Sequence, residues 1–148
     1  MHLSWFDLHH TELSAAQLYQ LLALRNAVFI VEQQCAYQDI DGEDLSGDTR
    51  HIIAMADHRL LAYARILVPA TEHHVKIGRV IVEASGRGQG LGQQLMTHVL
   101  RSCQQHWSER RITLSAQAHL QSFYTDFGFS SIGEIYPEDG IPHIDMQR

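Results

Sequence analysis

Lysine is almost missing from this chain: Lys76 is the only one. A Walker-type phosphate loop ends in Gly-Lys-Ser/Thr, and Lys76 is followed by Ile77, so that class of nucleotide hydrolase is excluded. Bases as a whole are scarce, 11 against 17 acids, for a formal charge of −6. Non-specific nucleic-acid binding runs on Lys and Arg neutralising phosphates, so no nucleic-acid partner is expected. The two cysteines, Cys35 and Cys103, lie far apart and neither belongs to a C-x-x-C pair. That removes zinc-ribbon and thioredoxin chemistry and leaves both as small hydrophobes. No apolar run approaches the roughly 20 residues that cross a bilayer, so no membrane partner is expected. The opening Met1-His2-Leu3-Ser4-Trp5-Phe6-Asp7 has no basic start followed by a long apolar stretch. A secretory signal is therefore not expected, and the expected compartment is the cytoplasm. Eleven histidines are many, but no H-E-x-x-H occurs, and adjacent pairs such as His9-His10 and His73-His74 do not face one way. No metal site is expected.

What is present suits an ordinary globular protein. A chain of 148 residues with 45% hydrophobic and 19% charged residues predicts one domain, 1–148. Leu3–Leu8 reads as a short first strand. Ser14 and Gln17 form a capping box ahead of a helix that runs to about Glu32, with Leu18, Leu21, Leu22, Val28 and Phe29 on one face. Residues 35–50 form an acidic loop with Asp39, Asp41, Glu43, Asp44 and Asp48, and Glu32 stands just before it. An EF-hand reading of Asp39-Ile40-Asp41-Gly42 fails, because the glycine falls at loop position 4 and Arg50 stands where Glu is needed. The loop is either simply solvated or a field that attracts a cationic substrate.

His51–Ala56 and Leu60–Val68 predict a hairpin turning at Asp57-His58-Arg59. Val75–Val82 is the strongest strand, and Gly78 inside it suggests a bulge or a close backbone approach. A long helix follows, with Leu91, Leu95, Val99 and Cys103 on one face. Ile112–Ala116 is a strand, and Leu120, Phe123, Tyr124 and Phe127 mark a short helix ending at Gly128. Strands near Ser131–Tyr136 and His143–Met146 close the chain around the turn-rich Pro137-Glu138-Asp139-Gly140. The fold class is α/β (α+β): a mixed, mostly antiparallel sheet of six to seven strands with helices on both faces.

Val80 to Gly92 runs strand, glycine-rich turn, helix start. Open N–H groups and the dipole at a helix N-terminus attract an anion. Glycines let the backbone approach a phosphate, and Arg87 adds a charge with bidentate geometry. This predicts a pyrophosphate at residues 87–92. The dinucleotide pattern G-x-G-x-x-G does not fit from Gly88 or from Gly90. The spacing is Arg87-x-x-Gly90-x-Gly92.

That spacing resembles the R-x-x-G-x-G/A coenzyme A signature of the GNAT N-acetyltransferases. Gly78-Arg79-Val80-Ile81-Val82 looks like the family's bulged fourth strand. Phe123-Tyr124 with Phe127-Gly128-Phe129 is similar to its F-Y-x-x-x-G-F ending. Val31-Glu32-Gln33, Tyr37–Gly42, Ala116–Gln121 and Asp139–Ile144 look like the ElaA-like branch. The resemblance covers essentially the whole chain.

The resemblance implies an acetyl-CoA-dependent N-acetyltransferase that passes acetyl directly to a small-molecule or peptide amine. Val80, Ile81 and Val82 would hold the pantetheine arm as an added strand. A free N–H at the bulge would stabilise the oxyanion, a contact worth about 3–4 kcal/mol in other enzymes. Arg87, Gly88, Gln89, Gly90, Leu91 and Gly92 would cradle the pyrophosphate, and Gln117 sits where many members carry a cofactor-touching Asn. Tyr124 would protonate the departing thiolate, although the residues alone also allow a core aromatic. Arg79 either pairs with an acid on the ladder face or lines the acceptor site. The proton-accepting base is open among Glu32, Asp39, Asp41 and His143; a histidine's ordinary pKa of about 6.5 suits the task. The family often forms homodimers. Rival readings are a non-catalytic acyl-CoA-binding module and a general phosphate binder.

Overall fold

The alternation read along the strands folds as one seven-stranded sheet in the order β1-β2-β3-β4-β5-β7-β6. The computed structural model describes residues 2–148. The strands are β1 Ser4–His9, β2 Arg50–Ala56, β3 Arg59–Leu67, β4 His74–Val82, β5 Arg111–Gln117, β6 Ser130–Glu138 and β7 Ile141–Gln147. The helices are α1 Ala15–Arg25, α2 Leu91–Trp107 and the short α3 Gln121–Thr125. Every strand pair is antiparallel except β4–β5. A parallel pair needs a crossover, and α2 supplies it.

Strand alternation sorts the apolar residues to the two faces. Ile52, Ala54, Ala62, Ala64 and Ile66 pack with Leu95, Met96, Val99 and Cys103 of α2. Ile53, Leu60, Tyr63 and Ile81 pack with Leu21, Leu24 and Val28 on the other side. Helices on both faces and a mixed sheet were the expected class. Cys103 is buried as expected, and burial pushes its thiol up to about 12.

Local signals set several boundaries. The Ser14 hydroxyl accepts from Gln17 N at 3.1 Å, and the Gln17 side chain accepts from Ser14 N at 2.8 Å. The β2–β3 turn is two residues, Asp57 and His58, both at positive φ; that is the twist a tight hairpin demands. Gly128 ends the α3 segment at φ +88, where a Cβ would lie 3.2 Å from Arg148 Nε.

Two expectations need correcting, on the first helix and the acidic loop, and the one on β4 holds. The first helix is not α-helical to Glu32: it stops at Arg25, and Asn26–Glu32 forms a π-helical turn. Such widened turns concentrate at functional sites, and this one carries Phe29 and Glu32 toward the region described next. The bulge expected within Gly78–Val82 is present, at the two residues after Gly78. Gly78 pairs with Arg65 and Ile81 with Tyr63, so Arg79 and Val80 together stand opposite Ala64. Arg79 takes φ +55 there, a conformation uncommon for a non-glycine residue outside turns. The acidic loop is not simply solvated, because Asp39 and Asp44 are buried.

Candidate active site

The parallel β4–β5 pair holds only from His74–Arg111 to Ile77–Leu114. Beyond that point the strands part. β5 goes on pairing with β7 through Gln117, while the β5-facing edge of β4 from Gly78 to Val82 has no partner. The split opens a cavity of about 180 Å³, lined among others by Phe29, Arg79, Val80, Ser115, Gln117 and Tyr124. An unpaired strand edge offers main-chain hydrogen bonds to an extended ligand. The Ile81 side chain is buried toward α1, so Ile81 can serve such a ligand only through its backbone. Val80 lines the split, and Val82 lines the next cavity along.

That next cavity, about 390 Å³, is bounded by Val82, Gly86, Arg87, Gly88, Gly90, Leu91, Gly92 and Gln93. Gly88 and Gly90 have φ of +79 and +77, values glycine adopts without strain. Gly90 is the N-cap of α2 and has no side chain to cap it, so the first N–H groups of the helix stay open. Leu91 turns its side chain into the core, while Gln89 lies outside the cavity lining and donates to the Ser85 carbonyl at 3.3 Å. Gln93 lines the cavity in its place; the motif pattern stops at Gly92 and gave no signal for it.

Arg87 is fastened at three points. Its Nε donates to the Val82 carbonyl at 2.9 Å, and its two terminal nitrogens meet the Glu32 carboxylate at 2.8 and 3.0 Å. Glu32 therefore sits on the arginine of the glycine-rich turn and lines neither cavity of the split. The expectation that it accepts the substrate proton is not supported by this placement.

Tyr124 is 6% exposed. Its hydroxyl has no hydrogen-bond partner among the described residues, yet it keeps some accessible surface, and the residue lines the split. Burial pushes the phenol up to about 12, so it stays protonated and able to donate. A core tyrosine usually satisfies its hydroxyl; this one does not.

Three acids of the loop, Asp39, Asp41 and Asp44, are spent on arginines. Arg25 donates to Asp39 at 2.9 Å and to Asp44 at 2.5 Å. Arg65 donates to Asp41 at 2.8 and 2.9 Å and to Asp44 at 2.9 Å. Arg79 donates to Asp39 at 2.7 Å and Asp41 at 3.3 Å, and lies over the Tyr37 ring. Burial alone would raise the Asp41 and Asp44 carboxyls. Hydrogen bonds from Arg65 and Arg25 outweigh it and hold both below the usual carboxylate range. Three guanidiniums match three of the loop's carboxylates, which leaves Glu43 and Asp48 as the loop acids that face no arginine. The same pairing argues against Asp39 and Asp41 as bases.

A second cavity, about 260 Å³, adjoins the split and shares Tyr37, Arg79, Gln117 and Glu138 with it. Its other walls are Gln33, Cys35, Asp139, Ile141 and His143. His143 pairs with Gln117 of β5 on one side and Tyr136 of β6 on the other. Its Nδ1 donates to the Ile141 carbonyl at 2.7 Å, since a carbonyl can only accept. Its Nε2 faces Glu138 Oε2 at 3.3 Å. Of the four candidate bases, only His143 lines this cavity. No group of three or more potential metal ligands occurs among the described residues, and none of their helices is long and apolar enough to span a membrane.

The parted strands and the glycine-lined helix end define an acyltransferase of the GNAT fold. The chain belongs to the GNAT acetyltransferase family: the profile of the acetyltransferase (GNAT) domain matches residues 12–148. Within it the chain is ElaA-like. It is 56% identical to protein ElaA of Escherichia coli over 147 residues, 99% of this chain and 96% of that protein. The crystal structure of that ElaA matches with a TM-score of 0.94, covering 98% of this chain and 99% of that one. An acyl-CoA N-acyltransferase from Pseudomonas aeruginosa is 50% identical and matches at 0.96 over 99% of both chains.

Proposed function

We propose that this chain is a single-domain, acetyl-CoA-dependent N-acetyltransferase that passes acetyl directly to an amine. The observation that carries the reading is Tyr124: a buried phenol, unpartnered among the described residues, that lines the split beside the unpaired edge of β4, with a glycine-lined helix end further along the same strand. The residues present fit a CoA thioester. β4 offers a free edge to the pantetheine amides, the open N–H groups of α2 and Arg87 suit the pyrophosphate, and Gln117 lines the split. The bound thioester would supply the activated acetyl group.

The chain's own residues do the rest. On this reading a main-chain N–H at the Arg79–Val80 bulge polarises the acyl carbonyl; one such donor is worth about 3–4 kcal/mol in other enzymes. Tyr124 donates its proton to the leaving sulfur, and His143 takes a proton from the amine. Cys103 is too deeply buried and too hard to ionise to carry an acyl group, and Cys35 is tied to the Asp139 carbonyl at 3.2 Å. These placements support direct transfer. The cytoplasmic setting read from the sequence and the homodimer common in the family belong to the same proposal.

Tyr124→Phe tests it. General acid catalysis contributes about 10²–10⁴-fold, so acetyl transfer to an amine should fall by that factor while acetyl-CoA affinity holds. Turnover as fast as wild type in the variant would remove Tyr124 from the chemistry. Absence of turnover in wild type, with CoA still bound, would favour a non-catalytic acyl-CoA-binding module.

A further inference from the structure

We infer that Asp39 is a positioning residue for acetyl transfer: it grips the Arg79 side chain and so holds the bulge of β4 in the conformation the chemistry uses. The link to catalysis rests on the N-acetyltransferase reading; the grip rests on geometry alone.

The ladders leave the bulge unheld. On the β3 side Gly78 pairs with Arg65 and Ile81 with Tyr63, and neither Arg79 nor Val80 has a register partner among the described residues. On the β5 side the ladder has already ended at Ile77. Arg79 stands there at φ +55. A residue with a Cβ disfavours that region against the right-handed one by roughly 5- to 30-fold. Something has to offset that preference, and the side chain does.

The guanidinium of Arg79 is held at several points. Nε donates to Asp39 Oδ1 at 2.7 Å, and Nη2 donates to the Asp39 carbonyl at 3.0 Å and to Asp41 Oδ2 at 3.3 Å. The Tyr37 ring lies against it, 5.7 Å to the centroid, and the Tyr37 hydroxyl donates to the same Asp39 Oδ1 at 3.0 Å. Charge-assisted bonds of this forked kind fix orientation as well as position. Asp39 is held in turn. It is buried, and its Oδ2 and its carbonyl accept from Arg25 Nε and Nη2 at 2.9 and 2.8 Å. Arg25 is fully buried at the last position of α1, and its remaining nitrogen donates to Asp44. The anchor of the bulge is therefore a buried carboxylate fixed to a helix end.

The same anchor reaches a second part of the site. Arg25 leads directly into the π-helical turn, and Phe29 of that turn lines the split together with Arg79 and Val80. One carboxylate sets the turn and the bulge relative to each other. A main-chain donor to an oxyanion works because it is in place before the reaction. Loss of Asp39 should therefore slow turnover and leave the glycine-lined CoA end, built from other residues, intact.

The test compares Arg79→Ala, Arg79→Gly, Asp39→Ala and the double variant Asp39→Ala/Arg79→Gly. Release of CoA thiol from acetyl-CoA is followed with glycinamide, 1,4-diaminobutane and hexylamine as acceptors. Both Arg79 variants lose the guanidinium, so any direct contact it makes with a substrate is lost equally. They differ in backbone freedom, because glycine enters positive φ as readily as negative. The kcat of Arg79→Ala should stand about 5- to 30-fold below that of Arg79→Gly, with the acetyl-CoA KM equal. Asp39→Ala should lower kcat by at least about 5-fold in the wild-type background and not at all in the Arg79→Gly background. Equal kcat in the two Arg79 variants, no fall with Asp39→Ala, an equal fall in both backgrounds, or a loss of CoA affinity in place of kcat would overturn the inference. If Asp39→Ala does not fold, the two Arg79 variants decide alone. The ¹³Cα shift of residue 79, which reports φ, tests the grip without turnover: it should move in Asp39→Ala, and an unchanged shift would overturn the grip. A moved shift in a protein whose wild type acetylates none of the three amines would leave the grip standing and count against the acetyltransferase reading.

Discussion

Acid should loosen the wall of this site through a buried histidine the chemistry does not use. His51 is fully buried; its Nε2–H donates to the Asp44 carbonyl at 2.9 Å, and its Nδ1 accepts from the Tyr63 hydroxyl at 2.6 Å. Burial, with Arg25 and Arg65 nearby, lowers its pKa from the ordinary 6.5. The unfolded chain therefore binds a proton below pH 6.5 that the folded chain refuses. Stability is full above pH 6.5 and is lost as pH falls below it toward the folded value. While the folded ring stays neutral, the loss is about 1.4 kcal/mol by pH 5.5. For a domain of this size that moves the melting midpoint by about 3–6 °C. His51→Gln keeps one donor and one acceptor but cannot titrate. Melting both proteins from pH 8 to pH 5.5 should show a drop in wild type that exceeds the drop in the variant by that amount. Equal drops would refute the reasoning, whatever the variant's absolute stability.

Glu32→Gln should tighten CoA binding about 1.5- to 5-fold by isothermal calorimetry, because it frees Arg87 from an exposed ion pair of the kind worth about 0.2–1 kcal/mol; weaker binding would mean that Glu32 positions Arg87 for the ligand. Asp44→Asn leaves Arg25 and Arg65 short of their shared carboxylate. Breaking a buried pair costs about 3–5 kcal/mol, so its urea midpoint should fall steeply; a change under 1 kcal/mol would show that the arginines find other partners.

Legibility in the sequence followed distance along the chain. The Ser14–Gln17 box, the turn at Asp57, the glycine run before α2 and the apolar face of Leu91, Leu95, Val99 and Cys103 are each set by neighbours within a few residues. All of them stand in the structure within a residue or two. What escaped depends on residues brought together from afar. Asp39, Asp41 and Asp44 look solvated in a loop until Arg25, Arg65 and Arg79 are placed around them by three different elements. Glu138 looked like turn composition, because its relation to His143 exists only once β6 and β7 pair in register. Glu32 was readable as a base only while its partner Arg87, 55 residues away, was unknown. The π-helical turn leaves no mark in a pattern of apolar spacing that an α-helix fits almost as well.

Thermal melting with saturating acetyl-CoA, CoA and ADP in parallel tests the central claim most directly. ADP can reach the glycine-lined helix end but has no arm to lay along the free edge of β4. At 100-fold over Kd a ligand adds about 2.7 kcal/mol, which is about 5–10 °C for a chain of this size. Both CoA species should raise the midpoint by that much, and ADP by clearly less. No shift with either CoA species at millimolar concentration would contradict the assignment of the split and the Arg87–Gly92 turn as a CoA site, and the acetyltransferase function would fall with it.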